Sequence, residues 1–353
     1  MSYGLCVMSY CIRSKPETCD LQSERCMNFG MKFLSKIFLI ILMLSACHSR
    51  ESKTKTHQVH LKEEAVDTLR KILHEQQEWV KVHAAEFLIW SGYPEGVKDI
   101  YLKELERFQE KPQYRIGIWR VLAQLSNGDE SAQYKTKIVN AFLDTADRDR
   151  IHAIETMAKL KISPLPQHPD ATDAALHSDI KSLSAYTHWA IAYTNQDSAE
   201  SASKYFLDRL LDANEDILQR RIAAYVLRNG SNLGMAEWNA LSDMALTLPD
   251  ETEGKSGFLN AALLTAPQEM KTSGTYKNIF DNFLAYTSKK DKNIKLDIAS
   301  ALAVTGGTEH LPLLTDWLRN TFPTGIASYD ADVQASAAYA IIKICERTSV
   351  NDK

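Results

Sequence analysis

The sequence predicts an all-α chain in which about eight helix pairs stack side by side as a repeat solenoid. Three observations carry that expectation. The stretch Trp79–Gly92 (WVKVHAAEFLIWSG) places Val80, Ala84 and Leu88 one helical turn apart, on a single apolar stripe. The pattern returns seven more times: its last apolar position is filled by Leu88, Leu122, Met157, Ile191, Leu227, Leu264, Leu302 and Ile341, at intervals of 34 to 39 residues. From Leu61 onward no stretch shows the period-two alternation of a strand.

Beside that stripe stand paired small residues, clearest at Ala84 and Ala85, Ala223 and Ala224, and Ala337 and Ala338. Missing side-chain bulk there lets a neighbouring helix approach closely. The second, fourth and sixth copies carry Ile118 and Trp119, Thr187 and His188, and Asn260 and Ala261 in the same slots, so they depart from the pattern. The repeat resembles the HEAT-like (armadillo-type) family, most clearly in VKVHAAEFL, QRRIAAYVL, IKLDIASAL and VQASAAYAI. The resemblance implies a right-handed α-α superhelix, and the chain length suits one elongated domain over residues 61–347, followed by a tail, 348–353.

Taken in order, residues 1–30 hold four of the six cysteines (Cys6, Cys11, Cys19, Cys26) without periodicity, and read as a mis-assigned start. Met31 opens a segment with basic Lys32 and Lys36, an apolar run Ile37–Leu44 and the sequence Leu44-Ser45-Ala46-Cys47, which resembles the bacterial lipobox. Residues 31–46 are therefore expected to be a lipoprotein signal peptide and Cys47 the lipidated N-terminus; the apolar run is too short for a spanning helix, for which about 18 residues are needed. His48 is not the Asp that, in Gram-negative lipoproteins, accompanies inner-membrane retention. The resemblance thus implies the outer membrane, facing the periplasm. Residues 47–60 form a polar tether that is either simply solvated or drawn to anionic headgroups by Arg50, Lys53 and Lys55.

The mature chain then keeps only Cys47 and Cys345, so no disulfide is expected. Residues 1–46 hold five Lys or Arg and three Asp or Glu; their removal takes the formal charge from −4 to −6, which disfavours nucleic acid as a partner.

Each template copy is preceded by a second amphipathic segment, at Leu61–Gln76, Glu95–Glu110, Glu130–Thr145, Asp170–Lys181, Ser198–Ala213, Gly234–Leu248, Thr272–Thr287 and Thr308–Asn320. Breaks fall at Gly92-Tyr93-Pro94, Asn127-Gly128, Asn229-Gly230 and Gly306-Gly307. Between Ile162 and Asp170, Pro164, Pro166 and Pro169 interrupt the helical pattern, shorten the outer helix that follows and imply a bend. Longer loops are expected at Pro249–Ser256 and Thr321–Asp332; the second, with Phe322, Ile326 and Tyr329, either packs over the end of the groove or caps the last pair.

No GxSxG, HExxH, GxxxxGK[ST] or CxxC motif occurs in the mature chain, so no catalytic residue, metal or cofactor is expected and the chain reads as non-enzymatic. His83-x-x-Glu86 and His152-x-x-Glu155 share a template position two repeats apart. The helix between them keeps them roughly 16 to 20 Å apart, which disfavours a joint metal site.

At 100° per residue the template's seventh position lies opposite the buried stripe. Down the stack it reads Glu86, Arg120, Glu155, Trp189, Tyr225, Ala262, Ser300, Tyr339. Glu86, Arg120 and Glu155 are either a groove surface or a ladder of ion pairs between repeats. Trp189 and Tyr225, with Arg221 nearby, are either core aromatics or a ligand surface on the concave face. Three functions compete: a lipid-anchored monomeric scaffold gripping an envelope protein, a carbohydrate- or small-ligand-binding accessory, and an enzyme. VHAAE and YRIGIWRVLA are similar to repeat proteins of sugar-uptake and sugar-catabolism systems, which implies a glycan. Other HEAT-like proteins are phycobilin lyase subunits, but no pigment site is marked and the export signal argues against that role.

Overall fold

Every one of the eight apolar copies is a helix, and each follows an outer helix at the expected place. The computed structural model describes residues 56–146, 148–230 and 233–350. The expected false start (1–30), the signal peptide (31–46), Cys47 and the first part of the tether lie outside the described residues. Helix α1 covers 56–75, so the helical region begins inside the stretch expected to be tether. It is followed by α2 (Glu78–Trp90), α3 (Val97–Phe108), α4 (Tyr114–Leu125), α5 (Gly128–Leu143), α6 (Arg150–Lys159), α7 (Pro169–Leu176) and α8 (Lys181–Ile191). The second half contains α9 (Gln196–Leu211), α10 (Ile217–Arg228), α11 (Met235–Thr247), α12 (Lys255–Leu264), α13 (Gly274–Leu284), α14 (Lys292–Thr305), α15 (Leu311–Leu318) and α16 (Ala327–Val350). No strand occurs among the described residues.

Even-numbered helices form an inner layer in which each packs against the next, from α2 through α4, α6, α8, α10, α12 and α14 to α16. The stack does not stop there, because α16 packs against α2. The expectation of an elongated domain is corrected: the inner helices of the unit from Val59 onward close into a ring of eight. Lys343 Nζ donates to the Trp90 carbonyl (3.0 Å) and His83 Nδ1 lies 2.8 Å from Asp332 Oδ1. In the outer layer Arg319 grips both oxygens of Glu64 at 2.8 and 2.7 Å. Closure is invisible to a search for periodicity, since periodicity says that hairpins stack and nothing about the angle between them. Here the turns between successive hairpins sum to a full circle.

The inner helices run parallel. Trp90 Nε1 donates to Gln124 Oε1 (2.9 Å) at the C-terminal ends of α2 and α4, and Asn260 Nδ2 donates to Ser300 Oγ (2.9 Å) between α12 and α14. The paired small residues Ala84, Ala85, Ala223, Ala224, Ala337 and Ala338 are all buried. In the degenerate second copy Gly117 takes over the close approach: a Cβ there would stand 3.0 Å from Val82 Cγ2.

The second template position has a repeated structural task. Arg150 Nε donates to the Phe142 carbonyl (3.0 Å), Arg220 Nε to Leu210 (3.0 Å) and Gln334 Nε2 to Leu318 (2.8 Å). Each ties an inner helix to a carbonyl at the C-terminal end of the outer helix before it, where helical partners have run out.

The proline-rich break behaves as expected locally, for Pro169 stands in the first turn of α7 and that helix has only 8 residues. The segment after α15 is partly helical, since α16 starts at Ala327; Phe322 and Ile326 nevertheless stay 56% and 51% exposed. Lys292 Nζ lies 4.8 Å from the centre of the Tyr329 ring and pairs with Asp332 at 2.7 Å, fixing this segment to α14.

Candidate functional site

Closing the stack turns the template's seventh column toward the ring axis, where side chains from different helices meet. Arg120 donates from Nε and Nη2 to the two oxygens of Glu86 at 2.7 and 2.8 Å, and from Nη1 to Thr156 Oγ1 at 3.3 Å. Gln124 Nε2 adds a third donor to Glu86 at 3.0 Å. Burial alone would raise the Glu86 carboxyl, but the bidentate guanidinium holds it below the usual carboxylate range. Arg120 of α4 thus bonds both Glu86 of α2 and Thr156 of α6. His83 faces Asp332, and His152 stacks on Trp79 with ring centres 5.3 Å apart. Among the described residues no group of three or more His, Cys, Asp or Glu is placed to hold a metal ion.

Glu155 pairs with Lys159 at 2.8 Å along α6. Against the cost of burial, Lys159 and then Arg120 keep the Glu155 carboxyl low, and Glu155 in turn raises the Lys159 ammonium. Trp189 is only 5% exposed and meets the Tyr225 ring edge-on at 5.7 Å. Two cations hold that same tyrosine: Lys159 Nζ lies 5.6 Å and Arg228 Cζ 5.0 Å from its ring centre. Of the six concave-face candidates, Glu86, Arg120 and Trp189 are thus buried in axial packing. Glu155 belongs to the adjoining ion-pair network, and Arg221 and Tyr225 alone reach an open space.

That space is a cavity of about 600 Å³ between α10, α12 and α14, with Tyr186 of α8 also on its wall. In the sixth copy Gly257 occupies the slot that holds Lys81, Arg115, Arg150, Ser184, Arg220, Lys295 or Gln334 elsewhere and itself lines the cavity, while Lys255 makes the tie to the preceding outer helix through the Leu248 carbonyl (2.5 Å). The preceding loop, expected from sequence at Pro249–Ser256, forms one wall with Asp250, Glu251, Thr252 and Glu253. Gly254 gives the loop its exit at φ 83°, a left-handed conformation that few other residues adopt.

Four cations and five carboxylates line the cavity, and most are paired within the wall. Arg228 Nη1 donates to Asp297 Oδ1 (2.6 Å), whose other oxygen accepts from Ser256 Oγ (2.8 Å). Lys255 pairs with Asp250 at 2.7 Å and Arg221 with Glu253 at 3.0 Å. Tyr286 donates to Asp250 Oδ1 (3.1 Å); burial and this carboxylate push its phenol up to about 12. Burial, then Glu155, raises the Tyr186 phenol as well, so it is a hydrogen-bond donor at neutral pH.

Several polar groups on the wall have no partner among the described residues. They are the amide of Asn293, the hydroxyls of Thr252, Tyr186 and Tyr225, and the guanidinium N–H groups of Arg228 other than Nη1. Arg228 and Asp297 are the residues that the sequence reading missed. A signal for Arg228 was present: its column otherwise reads Ile89, Ala123, Ala158, Ala192, Thr265, Ala303 and Ile342, so a charge there is the exception.

Compared with protein-family models, curated proteins and solved structures, the chain matches none.

Proposed function

We propose that this chain is a binding module for a small polar ligand, a saccharide or a molecule of similar size, held in the cavity between α10, α12 and α14. The observation that carries the reading is the convergence of unengaged donors and acceptors on one recess. Asn293, Thr252, Tyr186, Tyr225 and Arg228 all face about 600 Å³ of space, a volume within the range of small-molecule sites. A scaffold gripping a protein along a concave groove is disfavoured, because Glu86, Arg120, Glu155 and Trp189, four of the six residues expected to line that groove, are taken up by packing and ion pairs within the ring. In this reading the hairpins are HEAT-like repeats whose right-handed stacking has been carried round to closure. The reading adopts lipidation at Cys47, which places the ring as a monomer at the outer membrane facing the periplasm, as an accessory of a sugar-uptake or sugar-catabolic system. No helix among the described residues is long and apolar enough to cross a membrane, so the anchor in this proposal is the lipid.

The test is calorimetric titration of the full chain with mono-, di- and trisaccharides, repeated on Asn293→Ala and Arg228→Met variants of confirmed fold. Saturable binding by the wild type, weakened about tenfold or more in either variant, supports the reading; a lost wall contact worth 1.4 kcal/mol gives that factor. Absence of binding across the panel overturns it.

A further inference from the structure

We infer that the Arg228–Asp297 pair is a specificity element that makes the cavity accept uncharged saccharides and reject acidic ones. The inference rests on the proposed function and names its ligand class.

The position an anionic ligand group would take is already filled. The first turn of α12 ends in the cavity, and a helix N-terminus with its unshared N–H groups attracts negative charge. Asp297 of α14 supplies that charge from within the protein. Its Oδ2 accepts from Ser256 Oγ at 2.8 Å, which seats the carboxylate over this turn. A Cβ on Gly257 would make an ordinary 3.6 Å contact with the same oxygen, so the carboxylate lies directly beside the α12 backbone. Its Oδ1 meanwhile pairs with Arg228 Nη1 at 2.6 Å, so the charge of that guanidinium is balanced within the wall while its other N–H groups stay open to a neutral hydroxyl. Both members of the pair keep only 15 to 17% of their side chains exposed, and weak solvent screening makes their fields effective at short range.

The other charges give the same result. Arg221 and Lys255 are committed to Glu253 and Asp250. Asp291 accepts from the Ile294 N–H as the cap of α14. Glu251, exposed on the wall, adds a further negative charge. Lys289 on the same wall is exposed as well, so solvent screens both of these charges and the buried pair dominates the field inside the cavity. A hydroxyl-rich neutral molecule finds open hydrogen-bonding groups without displacing any pair. A ligand carboxylate or phosphate meets Asp297 and Glu251, and like charges set face to face are strongly excluded.

The experiment titrates the full chain with neutral disaccharides (maltose, cellobiose, lactose) and with a glucuronate-containing disaccharide of matched linkage. The wild type is expected to bind at least one neutral probe and to bind its acidic counterpart at least about tenfold more weakly. Asp297→Asn releases Arg228 and removes the internal anion, and is expected to close or invert that ratio. Glu251→Gln, which alters an exposed side chain outside the buried pair, is expected to narrow it if Asp297→Asn fails to fold. Equal binding of neutral and acidic probes by the wild type overturns this inference alone, as does a ratio unchanged in both variants. No binding of either kind overturns the proposed function as well.

Discussion

The rings of Phe87 in α2 and Tyr339 in α16 lie stacked, with centroids 4.7 Å apart and planes inclined by 13°. In an open solenoid these residues would occupy opposite ends and never meet. A double-mutant cycle with Phe87→Ala and Tyr339→Ala is therefore expected to show a coupling of about 0.5–1.5 kcal/mol in urea denaturation. Additivity within about 0.3–0.5 kcal/mol, the behaviour of distant sites, would contradict a closed ring.

The alanine contacts between inner helices have no room for a larger side chain. Ala84→Leu or Ala224→Leu is expected to cost about 1–3 kcal/mol by overpacking. An unchanged melting curve for both would mean that these positions do not stand at helix contacts.

At the ring axis, Arg120→Ala would leave Glu86 buried without its guanidinium partner, keeping the Gln124 hydrogen bond and the more distant charge of Lys159. The expected loss is about 3–5 kcal/mol, as for removal of one member of a buried pair. The double variant Glu86→Met, Arg120→Met removes both charges and is expected to recover most of that loss. If the double variant is no more stable than Arg120→Ala, the pair is not the source of the effect.

Stability is expected to fall in two stages on acidification. Burial depresses the His152 and His188 imidazoles below their usual value. Their contribution is complete above about pH 6.5, where unfolded histidine titrates, and is lost as pH falls through the folded values. Glu86 and Asp332 are carboxyls that burial would raise, but partners hold them low: Arg120 for the first, His83 and then Lys292 for the second. Their contribution is lost lower down, as pH drops below about 4 toward the folded values. Denaturant midpoints measured from pH 8 to pH 3 should show the upper stage diminished in His152→Gln and the lower in Asp332→Asn. A midpoint that rises on acidification from pH 7 to pH 5 would refute the assignment of the upper stage.

For the anchor, Cys47→Ser is expected to move the protein from the membrane fraction to the soluble fraction with its helicity unchanged. Failure of a palmitate analogue to label the wild-type chain would remove the basis for lipid attachment.

The fold was legible in the sequence as far as local physics reaches. Apolar spacing located both layers of helices, and Gly, Asn and Pro marked the breaks, because both depend on the chemistry of neighbouring residues. The angle between successive hairpins depends on how side chains such as Ile118 and Gly117 fill a joint, and small differences there decide between a spiral and a ring. That is why α16 against α2 was unforeseen. The same gap explains the site. The seventh column was expected to form one open surface, but on a closed ring such a surface converges and packs on itself, burying Glu86, Arg120 and Trp189. Arg221 and Tyr225, both named from the sequence, line the cavity. Asp297 was not, since its meaning lies in a contact with Arg228 that only closure of the surrounding helices defines.

Closure also bears on the chain's own ends. Lys62, near the start of α1, is 3.5 Å from Glu346, near the end of α16, so the described chain leaves the ring close to where it enters. A short peptide bridging these ends, with a new opening cut between His177 and Ile180 after α7, would give a permuted protein beginning at α8 and ending at α7. Every helix would keep its neighbours in both layers, the α7–α8 pair then joining the two new ends, and the cavity between α10 and α14 would be untouched. The order in which the ribosome delivers the hairpins is thus separable from the order in which they stand in the ring.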